Sequence, residues 1–349
     1  MLYSCVHFSI MRSAVQSLVY VQFACYNGFN KNRKVPAMST IRWAAPEEKQ
    51  EIIDFIDYVF SKAHRPHDFA TLLPKLYGER GDAAQHHVVV REEGKIAATL
   101  VCYPVRLHAA GKDYMTLGIG SVSTHPRLRG RGYLGDMMAL VDQRARELGA
   151  AAAVLGGQRQ RYQYYGFDHG GYQLRAQLEQ VNVRHALRDV RTDEWQVVPM
   201  EQAHVRPAVA LMERQACWCA RGEAAFLDIL RSWYNEPFAV LKGGAFAGYG
   251  TLRKNPGACH VAELILEDEA DFPAVMKLLS GMHGDLTICA APWQRARARW
   301  LSGVCEEYGV SPAGQIKVYD SSQLDAIGKE LDGFLHGAAP LYVAPPDAV

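Results

Sequence analysis

The residues best equipped for chemistry lie in one short stretch, SVSTHPRLRGRGYLGDMM at 121–138, where Arg127, Arg129 and Arg131 interleave with Gly130 and Gly132. Glycine lets a backbone approach a ligand with no Cβ in the way. The stretch joins an apolar run, YMTLGIGSVST, to a helical pattern of Leu134, Met137, Val141, Ala145 and Leu148 that Gly149 ends. A helix N-terminus carries unpaired N–H groups and a partial positive charge, and arginine adds bidentate donors. Together these predict a site for a phosphate-bearing ligand.

Spacing narrows that chemistry. Gly130, Gly132 and Gly135 satisfy the letters G-x-G-x-x-G, but the acid expected about 20 residues on, to hold a ribose, is missing from a strand that ends VLGGQ. The strand before the corner also closes an antiparallel meander, whereas a dinucleotide fold needs one that opens a βαβ unit. No G-x-x-x-x-G-K-[ST] is present, and GIGSVS is misaligned for a G-x-S-x-G elbow. Eight cysteines are scattered; Cys217 and Cys219 form a C-x-C with no second pair, which reads as free thiols in a reducing compartment. His86 and His87 are adjacent, so on a strand they face opposite ways. No metal site is read.

The elements that must position the corner follow from periodicity. Residues 46–62 read as a helix, with Pro46 at its start and Ile52, Ile53, Ile56 and Val59 at helical spacing. HRPHDFATLLPKLYGERGD is a loop with a short helix. HHVVVREEGKIAATLVCYPVRL is a hairpin turning at Glu92, Glu93 and Gly94, and YMTLGIGSVST is the third strand of a meander. After the long helix, AAAVLGG is a buried strand, RQRYQYYGFDHGG a short helix, and YQLRAQLEQVNV a strand. The order β-α-β-β-β-α-β-α-β is an α+β layout around one sheet. A second unit echoes it: residues 201–220 helical, a hairpin at Gly243 and Gly244, the strand CHVAELILED, a helix, the strand DLTICAAPW and the helix QRARARWLSGVCEEYG. This is a divergent internal repeat.

With both in place, VSTHPRLRGRGYLGDMM resembles the acetyl-CoA motif of the GNAT (GCN5-related N-acetyltransferase) superfamily, [Q/R]-x-x-G-x-[G/A], through Arg127, Gly130 and Gly132. RYQYYGF resembles the family's Tyr-x-x-x-Gly-Phe segment through Tyr162, Gly166 and Phe167. The resemblance covers residues 39 to 185. It implies a GNAT fold, with a mixed, mostly antiparallel central sheet and flanking helices, and acetyl-CoA as co-substrate with no metal. It implies that backbone groups of Val122, Ser123 and Thr124 bind pantetheine between two splayed strands, one ending at Thr124 and one near Leu155. Amides from Arg129 to Leu134, through Gly130, Arg131, Gly132 and Tyr133, would cradle the pyrophosphate, and the arginine side chains would reach the outer phosphate. The implied reaction is acetyl transfer to a primary amine of a small molecule or peptide. Tyr162 matches the family's general acid, and a backbone N–H of Val122 or Ser123 would hold the oxyanion. The glutamate that many members carry on the third meander strand is absent, leaving a water relay ending at His125 as the substitute.

The two-unit arrangement resembles the enhanced-intracellular-survival type acetyltransferases, whose terminal carboxylate, here that of Val349, is a candidate base. The expected organisation is a leader at 1–38 that is disordered or not native, a catalytic domain at 39–185, a degenerate GNAT-like domain at 186–333 and an extended tail at 334–349. The leader's SAVQSLVYVQFACYNGF is broken by Gln16, Gln22 and Asn27, too short and polar for a membrane helix, with no clean cleavage site after it. In the second unit Glu267, Asp268, Glu269 and Asp271 stand where the first has arginines and glycines, and they would repel a pyrophosphate. Arg295, Arg297 and Arg299 read as a solvated helix face. With 349 residues, 49% hydrophobic and a formal charge of +1, no global field draws nucleic acid or an acidic membrane. A cytoplasmic enzyme, able to form a homo-oligomer, is expected. The acceptor wall would come from SKAHRPHDFATLLPKLYGE, with Asp68 and Glu79, and from the second unit. Two other classes are a non-catalytic acyl-CoA-binding or sensing module and an aminoacyl-tRNA-dependent transferase; the latter would need a broader basic surface.

Overall fold

The computed structural model describes residues 39–323 apart from 64, 110, 292 and 293, and the side chain of Tyr172 is not described. The leader and the tail at 334–349, with Val349, lie outside the described residues.

The first half runs β1 (Ser39–Trp43), α1 (Lys49–Ala63), α2 (Phe69–Leu72), α3 (Pro74–Tyr77), β2 (His87–Glu92), β3 (Lys95–Ala109), β4 (Lys112–Thr124), α4 (Tyr133–Leu148), β5 (Ala152–Leu155), α5 (Arg159–Tyr162) and β6 (Asp168–Leu178). After α6 (Gln180–Ala186), the second half runs β7 (Trp195–Pro199), α7 (Val205–Met212), β8 (Cys217–Cys219), α8 (Glu223–Arg231), β9 (Glu236–Lys242), β10 (Ala245–Lys254), β11 (Cys259–Leu266), α9 (Phe272–His283), β12 (Leu286–Ala290), α10 (Arg295–Val304) and β13 (Glu307–Val318). The first half matches the expected order strand for strand. The amphipathic patterns explain why: α1 buries Ile52, Ile53, Ile56 and Val59, the four residues its spacing singled out.

Among the described residues, thirteen strands form one sheet in the order β1-β2-β3-β4-β5-β13-β6-β12-β11-β10-β9-β7, with β8 on the end of β3. The order is nearly a palindrome. β4 pairs parallel to β5, and β11 parallel to β12. Between these pairs, β13 sits against β5 and β6 sits against β12, so each half receives the other's last strand. β6 and β13 then pair with each other from Asp168 to Gln177. One core cluster gathers β5, α4, α5 and the β2–β4 meander; another gathers β11, β12, α9 and the start of α6.

Three expectations need correction. The strand read through Val183 stops at Leu178, and Gln180–Ala186 is helical. The helix read over 201–220 is only Val205–Met212, and Cys217–Cys219 is a strand that pairs with Leu107–Ala109 at the end of the over-long β3. β13 is a strand that the periodicity did not reveal. The expectation of a solvated arginine face holds for Arg295 and Arg299 and fails for Arg297, whose side chain is 2% exposed. On a helix, residues four apart share a face and the one between them points the other way.

Candidate active site: a fork in the sheet beside a glycine corner

The site begins where β4 and β5 part. Their parallel pairing runs from Thr116 with Ala152 to Ile119 with Leu155 and stops, because β5 ends. β4 goes on to Thr124, paired among the described residues on its β3 edge through Gly120–Val101, Ser123–Thr99 and Thr124–Ala98. The backbone of Val122, Ser123 and Thr124 therefore lies beyond the pairing with β5. A β-bulge sits at the same place: Ser121 and Val122 oppose the single residue Leu100, and Ser121 takes a φ of +48°. Val122 is half-buried against the cluster that holds Ile119, Leu155, Tyr162 and Phe167. Ser123 is buried and donates its hydroxyl to the Ser121 carbonyl at 3.0 Å.

Next along the chain comes the corner. The His125 ring stacks on Tyr58 at 5.6 Å, and its Nδ1 accepts the Arg127 amide at 3.3 Å. In the neutral ring this leaves the proton on Nε2, so His125 has no lone pair to offer a substrate proton. Gly130 and Gly132 have φ of +79° and +77°, a region where a Cβ is strained, which is why these two positions are glycine. Gly132 caps α4, and the first bonds of that helix are Gly135 and Asp136 to the Gly132 carbonyl. The amides of Tyr133 and Leu134 precede those bonds, in the first turn where a helix leaves its N–H groups without intrahelical partners. Arg127 and Arg129 are exposed, and no ion pair holds either among the described residues. Arg131 is different. Its guanidinium grips Glu92 of the β2–β3 turn at 2.9 and 3.0 Å, and the hydroxyl of buried Tyr133 binds the same carboxylate. Glu92 thus ties the corner to the meander and engages the Arg131 side chain.

Tyr162 ends α5 and is 5% exposed, in the same cluster as the fork. Burial pushes its phenol upward, which keeps it protonated and able to donate. Its ring lies over Gly157, where an added Cβ would come within 3.0 Å of Cε2. α5 is held to β6 by Arg159 on Asp168 at 2.6 and 3.1 Å. Gln315 of β13, level with Leu155 at the fork, donates Nε2 to the Gly157 carbonyl at 2.7 Å. Sequence reasoning missed Gln315, because its only signal is a strand that comes from 160 residues away. The structure therefore brings Val122, the corner's Leu128, Tyr133 and Leu134, and Tyr162 to one core cluster, with Ser123 next to Val122 on β4.

The second half forks in the same way, since β11 and β12 pair only from Cys259–Leu286 to Val261–Ile288. This fork is crossed by ion pairs, and a pocket bordered by Arg221, Ala262, Glu263, Cys289 and Arg297 lies beside them. Arg297 donates to the Leu264 carbonyl at 2.8 Å and to Glu269 at 2.6 and 3.1 Å. Arg221 and Glu263, 3% and 6% exposed, pair through two bonds of 2.8 Å. The corner has no glycine. Asp268 caps Ala270, Asp271 pairs with Lys242 at 3.0 Å, and Glu267 pairs with Arg214.

The family model described as an acetyltransferase (GNAT) domain matches residues 40–170. These residues are a GNAT acetyltransferase domain. Its class is that of the acyltransferases, and the match spans the fork, the corner and Tyr162. Solved structures extend the likeness beyond the GNAT domain. A probable N-acyltransferase of Enterococcus faecalis V583 superposes with a TM-score of 0.64 at 14% identity, covering 80% of this chain and 73% of that one. A GCN5-related N-acetyltransferase of Kribbella flavida gives 0.61 at 15%, covering 81% and 71%. Eis1 of Mycobacterium abscessus gives 0.59 at 15%, covering 83% and 76%. At such identities the likeness is one of fold. No curated protein sequence matches. Among the described residues, no helix is long and apolar enough to cross a membrane.

Proposed function

We propose that this protein transfers an acetyl group directly from acetyl-CoA to a primary amine of a small molecule or peptide. The observation that carries the reading is the fork with its open β4 edge, set beside the two left-handed glycines at the start of α4. In this reading the backbone of Val122 to Thr124 lines pantetheine. The amides from Arg129 to Leu134 receive the pyrophosphate, with the exposed Arg127 and Arg129 reaching the outer phosphate and Arg131 acting through its amide alone.

The N–H of Val122 or Ser123 stabilises the oxyanion, and Tyr162 gives its proton to the departing thiolate. β4 carries no carboxylate near the fork, and His125 has no free lone pair when neutral. In this reading the acceptor reacts as its free base, with its proton passing to water. The missing carboxylate is also what favours the second reading, an acyl-CoA-binding module without turnover.

Thermal unfolding with and without acetyl-CoA tests the proposal. At about 100 times its dissociation constant the ligand adds roughly 2.7 kcal/mol. Gly132→Glu, which places a carboxylate and a strained φ at the corner, should abolish that gain. A folded wild-type protein with no shift would sink the reading. A shift without amine-dependent CoA release would favour the binding module.

A further inference from the structure

Four buried side chains form a hydrogen-bonded chain that ends on the bulge. Tyr77 of α3 meets Ser121 Oγ at 2.7 Å and His87 Nε2 at 2.9 Å; His87 Nδ1 meets Thr99 Oγ1 at 2.8 Å; and Thr99 meets the Val88 carbonyl at 2.8 Å. Its polarity is fixed from the far end. A carbonyl only accepts, so Thr99 donates to Val88 and accepts from His87 Nδ1–H. His87 Nε2 is then a bare acceptor, to which Tyr77 donates. Tyr77 has one proton, so it accepts from Ser121. Any other arrangement sets two lone pairs or two protons face to face at less than 3 Å.

The chain is not a proton wire. Burial pushes the His87 imidazole down to about 3, whereas an alkylammonium sits near 10.4, so a proton from the acceptor amine would have to climb roughly seven pK units. What the chain does is mechanical. A serine at φ +48° inside a strand is strained, and such a conformation persists only where its surroundings over-determine it. The Ser121 side chain is the handle, and Tyr77, fixed by His87 and Thr99, holds it.

Resting on the acetyl-CoA reading, we propose that Tyr77, His87 and Thr99 are positioning residues that pin the Ser121 bulge, and so aim the backbone of Val122 to Thr124 at the pantetheine arm. Their effect should therefore be confined to the part of the ligand that lies in the fork. The pyrophosphate end, at the glycine corner, should not notice them.

Calorimetric titration with acetyl-CoA and, separately, with ADP as a pyrophosphate probe distinguishes the two ends. Tyr77→Phe should raise the acetyl-CoA dissociation constant about tenfold, the scale of one lost hydrogen bond, and move that of ADP less than about twofold. Tyr77→Phe strands two buried partners and can fail to fold. Ser121→Gly cannot fail that way, since glycine accepts the positive φ and Tyr77 keeps its bond to His87. It should give the same selective loss, and the double variant should be no worse than either single one. Equal weakening of both ligands, or unchanged acetyl-CoA affinity in Ser121→Gly, overturns the proposal. If the wild-type protein binds neither ligand, the functional reading falls and takes this one with it; if wild type binds and the variants match it, only the positioning role falls.

Discussion

At the residue scale, the proposed chemistry turns on a protonated phenol and two glycines. Tyr162→Phe keeps the packing against Phe167 and Gly157 and removes the proton. Turnover should fall by about 10²-fold or more with acetyl-CoA affinity nearly unchanged, and steady-state and binding measurements together would show a merely structural tyrosine by full turnover. Away from the site, Glu48 shows how one carboxylate sets acid stability. Arg42, by hydrogen bond, together with the Ala45 amide and Arg91, holds it down to about 2. A depressed carboxylate stabilises above its unfolded value near 4.3 and loses that contribution as pH falls toward 2. Glu48→Gln should therefore lower the melting temperature at pH 7 and hardly change it at pH 2, which two thermal scans would check.

At the element scale, the fork depends on β13. This strand fills the gap between β5 and β6, and it is clamped to α4 by Lys317 on Asp142 at 2.6 Å, with Tyr319 on the same carboxylate at 2.7 Å. A fragment of residues 39–185 lacks it, so β5 and β6 lose their common neighbour. Such a fragment is expected to melt without a cooperative transition by circular dichroism, and a sharp melt near that of the full chain would refute the dependence. The corner was legible in the sequence because everything that defines it, from Arg127 to the first turn of α4, is local. Gln315, and the chain from Tyr77 to Ser121, were not, because their partners are brought together only by strand pairing and by helix docking on the sheet.

At the scale of the whole molecule, two similar halves share one sheet, and their two forks differ in charge and in the corner beside them. The second is lined by Arg297, bonded to the Leu264 carbonyl, and by the buried Arg221–Glu263 pair. Removing one member of such a pair leaves an uncompensated buried charge, so Arg221→Met should cost about 3–5 kcal/mol in urea unfolding, whereas the double change with Glu263→Met should cost far less. Equal costs for both would mean that the cost does not come from an uncompensated charge. Nor should this fork take acetyl-CoA, because the corner at 267–271 offers carboxylates and no left-handed glycine.

The sequence by itself determined the first half's element order, the glycine corner, the place of Tyr162 and the repeat, all of which rest on periodicity or on spacing within a dozen or so residues. It also placed four acids in five positions at the second corner. Only the tertiary structure decided that the halves exchange their last strands, that Arg297 points inward, that Arg131 belongs to Glu92 and that Ser121 is held by Tyr77. These depend on which distant edges and side chains meet once the core is buried. Hydrophobic patterning says which face of an element turns inward; it does not say which partner it will find there.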